Sequence, residues 1–298
     1  MPTPFEYDSA FDRNIGWITT SEQARLRSAR IAVAGLGGVG GIHVLTLARL
    51  GIGAFNLSDF DRFDLANFNR QAGALMSTLG RPKGEVVAEM AADVNPELDL
   101  RSFPEGVSEA NLDQFLDGVD VYVDGLDFFA FEARRATFAA CRRRGIPAVT
   151  AAPLGFGSAV LVFLPGGMSF EDYFQLDGCD EEEMAIRFLL GLSPMMPHAA
   201  YLADASRVDL SARRGPSSIV ACQLCAGLVA GEVLKLLLGR GVVRAAPRGY
   251  HFDAYRNRLV RTWRPGGNRN PLQRIGLWLA RRKLRKLREN RKPGDARS

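Results

Sequence analysis

The sequence predicts an α/β fold: a Rossmann-like, doubly wound, mostly parallel sheet, with a C-terminal β-hairpin and a basic helical tail. Three observations carry that prediction. Short apolar runs alternate with segments in helical spacing, as strands and covering helices do. A glycine-rich turn, Gly35-Leu36-Gly37-Gly38-Val39-Gly40, separates the first apolar run from the first helical one. The 298 residues are 47% hydrophobic and 24% charged, enough for a proper core and unlike a mostly disordered chain.

The elements follow in order. Residues 1–29 read as a polar lead-in and a short helix, capped by Thr20 or Ser21, with Glu22 and Gln23 in its first turn. Residues 31–34 are an apolar strand that ends at glycine, and 42–50 are a helix. Residues 55–58 form the next strand, running into Asp59. Lys83–Val94 reads as a helix with Val86, Val87, Met90 and Val94 on one face. A strand at 119–123 ends at Asp124, Phe131–Arg144 is helical, and strands follow at 147–150 and 159–164. Residues 165–217 are an excursion with an acidic run, Asp180 to Glu183, and a short helix near 183–190. Ile219–Leu238 is a long apolar helix ended by Gly239. Strands at 251–255 and 259–263 form the hairpin, 265–268 a linker, and 269–291 an amphipathic basic helix. Its apolar face is expected to carry Leu272, Ile275, Leu279, Ala280, Leu284 and Leu287, with Trp278 nearby.

Charge and cysteine content bound the rest. The formal net charge is +5, but residues 269–298 hold eleven Lys/Arg against two acids. A slightly acidic body thus carries a strongly basic tail. Four cysteines make no disulfide framework, so a reducing, cytoplasmic setting is the expectation. No secretory signal, membrane-spanning run or internal repeat is read.

The glycine loop fits G-x-G-x-x-G in the right context. Glycine there allows close backbone approach, and the helix N-terminus turns free N–H groups toward a phosphate. Asp59, 24 residues after Gly35, lies near the distance at which an acid takes a ribose hydroxyl. These features imply an adenine nucleotide without saying which; a dinucleotide dehydrogenase shows the same loop. Arg70 and Lys83 follow the second strand and Asp127 the strand ending at Asp124, each on a loop where such sheets bind ligands. Attack on a phosphate needs such cations, because charge builds on phosphoryl oxygens and leaving pyrophosphate. Asp127 suits Mg²⁺, which takes one or two carboxylates plus substrate oxygens. Arg62 and Arg81 read as solvated, and His43, His198 and His251 as isolated structural or solvated residues.

With GLGGVG, the DFD at 59–61, N-x-N-R-Q at 67–71, G-x-P-K at 80–83, D-x-x-D at 124–127 and the G-F-G-S strand at 155–158, the chain resembles the ThiF/MoeB/HesA adenylating enzymes, relatives of the ubiquitin-activating enzymes. The likeness covers roughly residues 10–164 and resumes at Ile219–Leu238. It implies an adenylation domain over 1–264 and a linker and basic tail over 265–298. Gly35, Gly37 and Gly40 look like the nucleotide loop, and Asp59 the ribose acid. Asn67 and Arg70 look like phosphate contacts, Lys83 the phosphate-binding lysine, and Asp127 the Mg²⁺-linked aspartate. Arg13 resembles, loosely, an arginine that reaches into a partner subunit's site, and the resemblance implies a homodimer. The implied reaction is attack of a carboxylate on the α-phosphorus of ATP, giving an acyl-adenylate and pyrophosphate. The usual substrate is the C-terminal glycine of a small ubiquitin-like or sulfur-carrier protein. The chain also resembles the branch that modifies threonylcarbamoyladenosine in tRNA. An NAD-dependent oxidoreductase and a non-catalytic nucleotide-binding scaffold are further readings.

The cysteines depart from the family pattern. Only Cys222 and Cys225 have C-x-x-C spacing; a structural zinc takes four ligands, so none is predicted and apolar packing is expected. Cys179 lies where some relatives carry a catalytic cysteine, but Asp177 and Asp180 to Glu183 disfavour its thiolate. Three partners suit the tail: an anionic membrane surface, RNA, or an acidic protein surface.

Overall fold

The computed structural model describes residues 4–210 and 212–289. Eight strands form one sheet: β1 Arg30–Ala34, β2 Ala54–Ser58, β3 Asp99–Phe103, β4 Val121–Asp124, β5 Ala148–Leu154, β6 Gly157–Phe163, β7 Arg248–Asp253 and β8 Arg258–Trp263. Their spatial order is β3-β2-β1-β4-β5-β6-β7-β8. The first five are parallel, and β6 to β8 add antiparallel pairings. The chain winds outward from β1 toward β3, then from β4 the other way. That reversal between β1 and β4 opens a crevice at the strands' carboxyl ends.

Alternation along the strands builds two core layers. Ile31 and Val33 of β1, with Val121 and Val123 of β4, face helices Gly40–Arg49, Lys83–Val94 and Ile219–Leu238. Ala32, Ala34 and Tyr122 face helices Phe131–Arg144, Phe170–Phe174 and Glu181–Leu192. Ile219–Leu238 is long and apolar enough to cross a membrane by length and composition alone. Here Cys222, Cys225, Val229 and Val233 of its inner face are fully buried in the first layer.

Several expected bounds move. The expected polar lead-in holds a short helix, Tyr7–Phe11, and the next helix runs Thr20–Ser28, capped by Thr19, whose hydroxyl accepts from Glu22 N at 3.2 Å while Glu22 accepts from Thr19 N at 2.8 Å. β3 was not expected, because Asp99-Leu100-Arg101-Ser102-Phe103 is a polar, largely exposed edge strand. The hairpin strands begin earlier, at Arg248 and Arg258. The excursion is packed rather than open: Phe170, Tyr173, Phe174 and Phe188 are buried in the second layer. The expected linker at 265–268 is a buried turn. Asn268 is 3% exposed and donates to Phe174 O at 2.7 Å and Arg187 O at 3.1 Å. The tail helix is Pro271–Glu289. The remainder of the expected basic tail, 290–298, lies outside the described residues.

Candidate active site

The glycine loop closes β1 onto helix Gly40–Arg49. Gly35 has φ +80°, a conformation open to glycine, and its N–H donates to Ser58 O at 2.7 Å. A Cβ on Gly40 would lie 1.7 Å from Gly35 O, so no larger residue fits that turn. The first amides of a helix lack acceptors within the helix and favour an anion at its N-terminus.

Asp59 leaves β2 beside this loop. Its carboxylate accepts from Leu36 N at 2.6 Å and from Asp61 N at 2.7 Å. Burial raises its pKa, against the bonds from Leu36 and Asp61 and the charge of Lys83, which lower it. It thus holds the loop in shape, with lone pairs left for a ribose hydroxyl.

Two cations follow β2 in the chain. Arg70 donates to Ala66 O at 2.9 Å and Asn69 Oδ1 at 2.8 Å. Its Cγ lies 3.6 Å from where a Cβ on Gly38 would stand, so its stem crosses the loop. Asn67 accepts from Asp64 N at 3.0 Å, which fixes the turn before Arg70. Lys83 is 6% exposed at a helix start, and its Nζ pairs with Asp61 Oδ2 at 2.9 Å. A phosphate reaching Lys83 would compete with Asp61 for the ammonium. Asp61, quoted in the sequence only as part of DFD, is therefore a candidate site residue that sequence reasoning did not single out.

Gln71 is a second such residue. Its Oε1 is buried without a hydrogen-bond partner, and its Nε2 lies 3.5 Å from where a Cβ on Gly37 would stand. A buried, unpaired amide against the nucleotide loop fits a ligand group bound there.

Asp127 is exposed on the loop after β4 and accepts from Phe129 N at 3.0 Å. Behind it, Arg134 donates to the carbonyls of Leu126 at 2.8 Å, Asp127 at 2.9 Å and Phe128 at 3.2 Å. Arg134 also pairs with buried Asp124 at 2.8 Å, which accepts from Thr150 Oγ1 at 2.8 Å. The Arg134 guanidinium lies 4.7 Å from the Phe188 ring centre, so the excursion buttresses this loop. Sequence reasoning missed Arg134; an arginine one turn into an apolar helix face was its only signal. A single exposed carboxylate suits Mg²⁺, which keeps several waters and takes its other ligands from phosphates.

Arg13 is not brought to this crevice. Its neighbour Asn14 donates to Leu50 O at 3.3 Å, at the far end of the ten-residue helix Gly40–Arg49. A helix of that length spans about 15 Å.

The crevice rim is aromatic. Phe156 stacks on Tyr201 at 5.8 Å between ring centres, and Tyr255 lies 4.8 Å from Tyr201 and 5.6 Å from Phe156. Tyr201 donates to Asp253 Oδ2 at 2.9 Å. Ser218 Oγ bonds Gly155 O at 2.9 Å, and Asn69 donates to Ser217 O at 3.0 Å, joining this rim to the Arg70 turn.

The remaining expected groups separate. Cys222 and Cys225 are both fully buried in the core, and burial pushes the Cys222 thiol up to about 11. Cys179 is partly buried; burial first, then Glu183, Asp180 and Glu171, raises its pKa against the charge of Arg187. The histidines are not all isolated. His198 and His251 stack at 5.7 Å, and His251 Nδ1 bonds Ser193 Oγ at 2.8 Å.

Residues 11–275 match a family model described as ThiF family. The chain belongs to the ThiF family. It is 35% identical over 141 residues to a tRNA threonylcarbamoyladenosine dehydratase of Bacillus subtilis, 47% of this chain and 55% of that protein. It is 30% identical over 148 residues to the sulfur carrier protein ThiS adenylyltransferase of Escherichia coli, 50% of this chain and 58% of that protein. The chain thus spans little more than half the length of these ThiF relatives. Its fold is similar to that of Escherichia coli MccB, in a structure solved with ATP, at TM-score 0.64 and 19% identity, covering 87% of this chain and 73% of that one.

Proposed function

We propose that this ThiF-family chain is an ATP-dependent adenylating enzyme that activates a carboxylate as an acyl-adenylate and releases pyrophosphate. One observation carries the reading: Arg70 crosses the Gly35–Gly40 loop, and the backbone at Gly125 and Leu126, which leads to Asp127, abuts the same loop at Gly35. The loop amides and the helix N-terminus favour phosphate oxygens. Asp59 and its neighbours orient the ribose. Arg70 and Lys83 offset the negative charge that grows on the phosphoryl group and the leaving pyrophosphate. Mg²⁺, held by Asp127, would supply further neutralisation of the phosphates. A carboxylate nucleophile is ionised at pH 7, so no general base is required. Catalysis is then positioning and charge neutralisation.

Two carboxylate classes are supported to different degrees. Relatives named tRNA threonylcarbamoyladenosine dehydratase are 35–38% identical over the aligned segment, which favours a tRNA-borne carboxylate. The aromatic rim suits stacked bases. The second class, the C-terminal glycine of a small ubiquitin-like or sulfur-carrier protein, is favoured by the ThiS adenylyltransferase relative and a SAMP-activating enzyme E1 at 30–31% identity. A homodimer, in which Arg13 serves the other copy's crevice, belongs to the same proposal.

The test is pyrophosphate exchange into ATP, run with bulk tRNA and with purified carrier proteins. Exchange stimulated by tRNA alone supports the first class; exchange stimulated by a carrier alone supports the second. NADH binding without ATP binding would remove both.

A further inference from the structure

The tail helix Pro271–Glu289 divides its apolar residues between two faces rather than one. The inward face is already occupied. Leu277 is 3% exposed and packs with Ile186 and Leu190 of Glu181–Leu192, flanked by Ala280 and Leu284. Gln273 donates to Leu190 O at 2.7 Å, and Arg281 bonds Glu183 at 2.9 Å. The acidic surface that suits this tail is thus within the chain itself.

Among the described residues, the outward face has no such cover. Leu272, Ile275, Trp278 and Leu279 are 65%, 57%, 55% and 53% exposed. At 3.6 residues per turn, Leu272, Ile275, Trp278 and Leu279 centre about 160° from the Gln273–Leu277–Ala280–Leu284 face. Arg274, Arg282, Lys283 and Arg285 flank them and are all exposed. The Arg282 guanidinium lies 5.5 Å from the Trp278 ring centre.

We propose that this outward face docks on an anionic lipid bilayer, making the chain a peripheral membrane protein. The two parts of the pattern ask for the same partner. Leu, Ile and Trp enter the boundary between headgroups and acyl chains, while Lys and Arg meet the lipid phosphates. Charge complementarity selects the occupant. Eleven Lys/Arg against two acids over 269–298 repel a second copy of the same face. A nucleic-acid surface needs cations where this face presents three aliphatic side chains and a tryptophan. The docked inward face holds the helix against the body, so the outward face is presented without unfolding anything. This inference does not depend on the adenylation reading.

The test is co-sedimentation of the full chain with vesicles of phosphatidylcholine alone and of equal parts phosphatidylcholine and phosphatidylglycerol. Binding is expected with the anionic vesicles and not with the neutral ones. Ile275→Asp with Leu279→Asp should lower the partition coefficient by about tenfold or more. Arg282→Gln with Lys283→Gln should lower it less, and added salt should weaken binding of the unaltered chain. All four side chains are exposed, so thermal melting of both variants should match the unaltered chain. Failure to sediment with anionic vesicles would overturn the proposal. So would binding that the Ile275→Asp/Leu279→Asp pair leaves intact, or tRNA binding or dimerisation that this pair abolishes.

Discussion

The Arg134 guanidinium, 2.8 Å from the Asp124 carboxylate, ties the last residue of β4 to the loop that carries Asp127. Both side chains are almost fully buried, at 3% and 2% exposure. Removing one partner strands the other charge in a low-dielectric interior. Arg134→Met is therefore expected to cost about 3–5 kcal/mol of stability, as such broken buried pairs do. Chemical denaturation measures it. Arg134→Lys retains a charge but loses the fork that reaches three carbonyls, so exchange activity should fall even where the variant stays folded.

Lys83 and Asp61 give a second expectation. Asp61→Asn removes the carboxylate that holds the Lys83 ammonium at 2.9 Å, leaving the lysine to a phosphate. The KM for ATP in the exchange assay should fall or hold steady. Lys83→Met should abolish measurable exchange. An unchanged rate in Lys83→Met would remove the lysine from the site.

Arg70→Ala and Asp127→Ala test the remaining charges. Both side chains sit on loops outside the core, so melting temperatures should shift by no more than a surface substitution does, about 0.5 kcal/mol in stability. Pyrophosphate exchange should drop by about two orders of magnitude or more, the scale for removing a group aimed at developing charge. Cys179→Ala is expected to leave exchange intact, because its raised pKa disfavours the thiolate and the adenylation step uses no nucleophilic sulfur.

His43 sets a pH dependence. It is fully buried, both ring nitrogens lack a hydrogen-bond partner, and burial pushes its pKa down to about 3. The unfolded chain takes up a proton near pH 6.5 and the folded one does not until about pH 3. The unfolded state thus binds more protons across that window. Stability from this residue is full above pH 6.5 and falls as pH drops through the window, by about 1.4 kcal/mol per pH unit. His251, pushed down to about 4, adds in the same direction. Denaturation midpoints at pH 7, 6 and 5 measure the slope, and His43→Leu should make it shallower.

The helices most legible in the sequence were those with uninterrupted spacing and clear ends. Lys83–Val94, Phe131–Arg144 and Ile219–Leu238 occur with the expected bounds. The glycine loop was legible because its context, strand before and helix after, is local. β3 was not legible, since an exposed edge strand need carry no apolar alternation. Most of the tail's apolar residues were legible, but Leu277, the one most deeply buried, was left out of the expected face, and their division was not legible. Leu277, Ala280 and Leu284 are selected by Ile186 and Leu190, nearly a hundred residues earlier, and no helical periodicity encodes that partner.

By itself, the sequence determined the parallel α/β order, the glycine turn and the kinds of charge offered to a nucleotide. Those follow from residue spacing, from the conformations open to glycine, and from which side chains ionise. Only the tertiary structure decided how each charge is spent. It gave Lys83 to Asp61, buried Arg134 against Asp124 to hold the Asp127 loop, left Arg13 a helix length from the crevice and set the tail's second apolar face toward solvent. The physical reason is that ion pairs and burial depend on distance in space, and the residues concerned lie from ten to about a hundred positions apart in the chain.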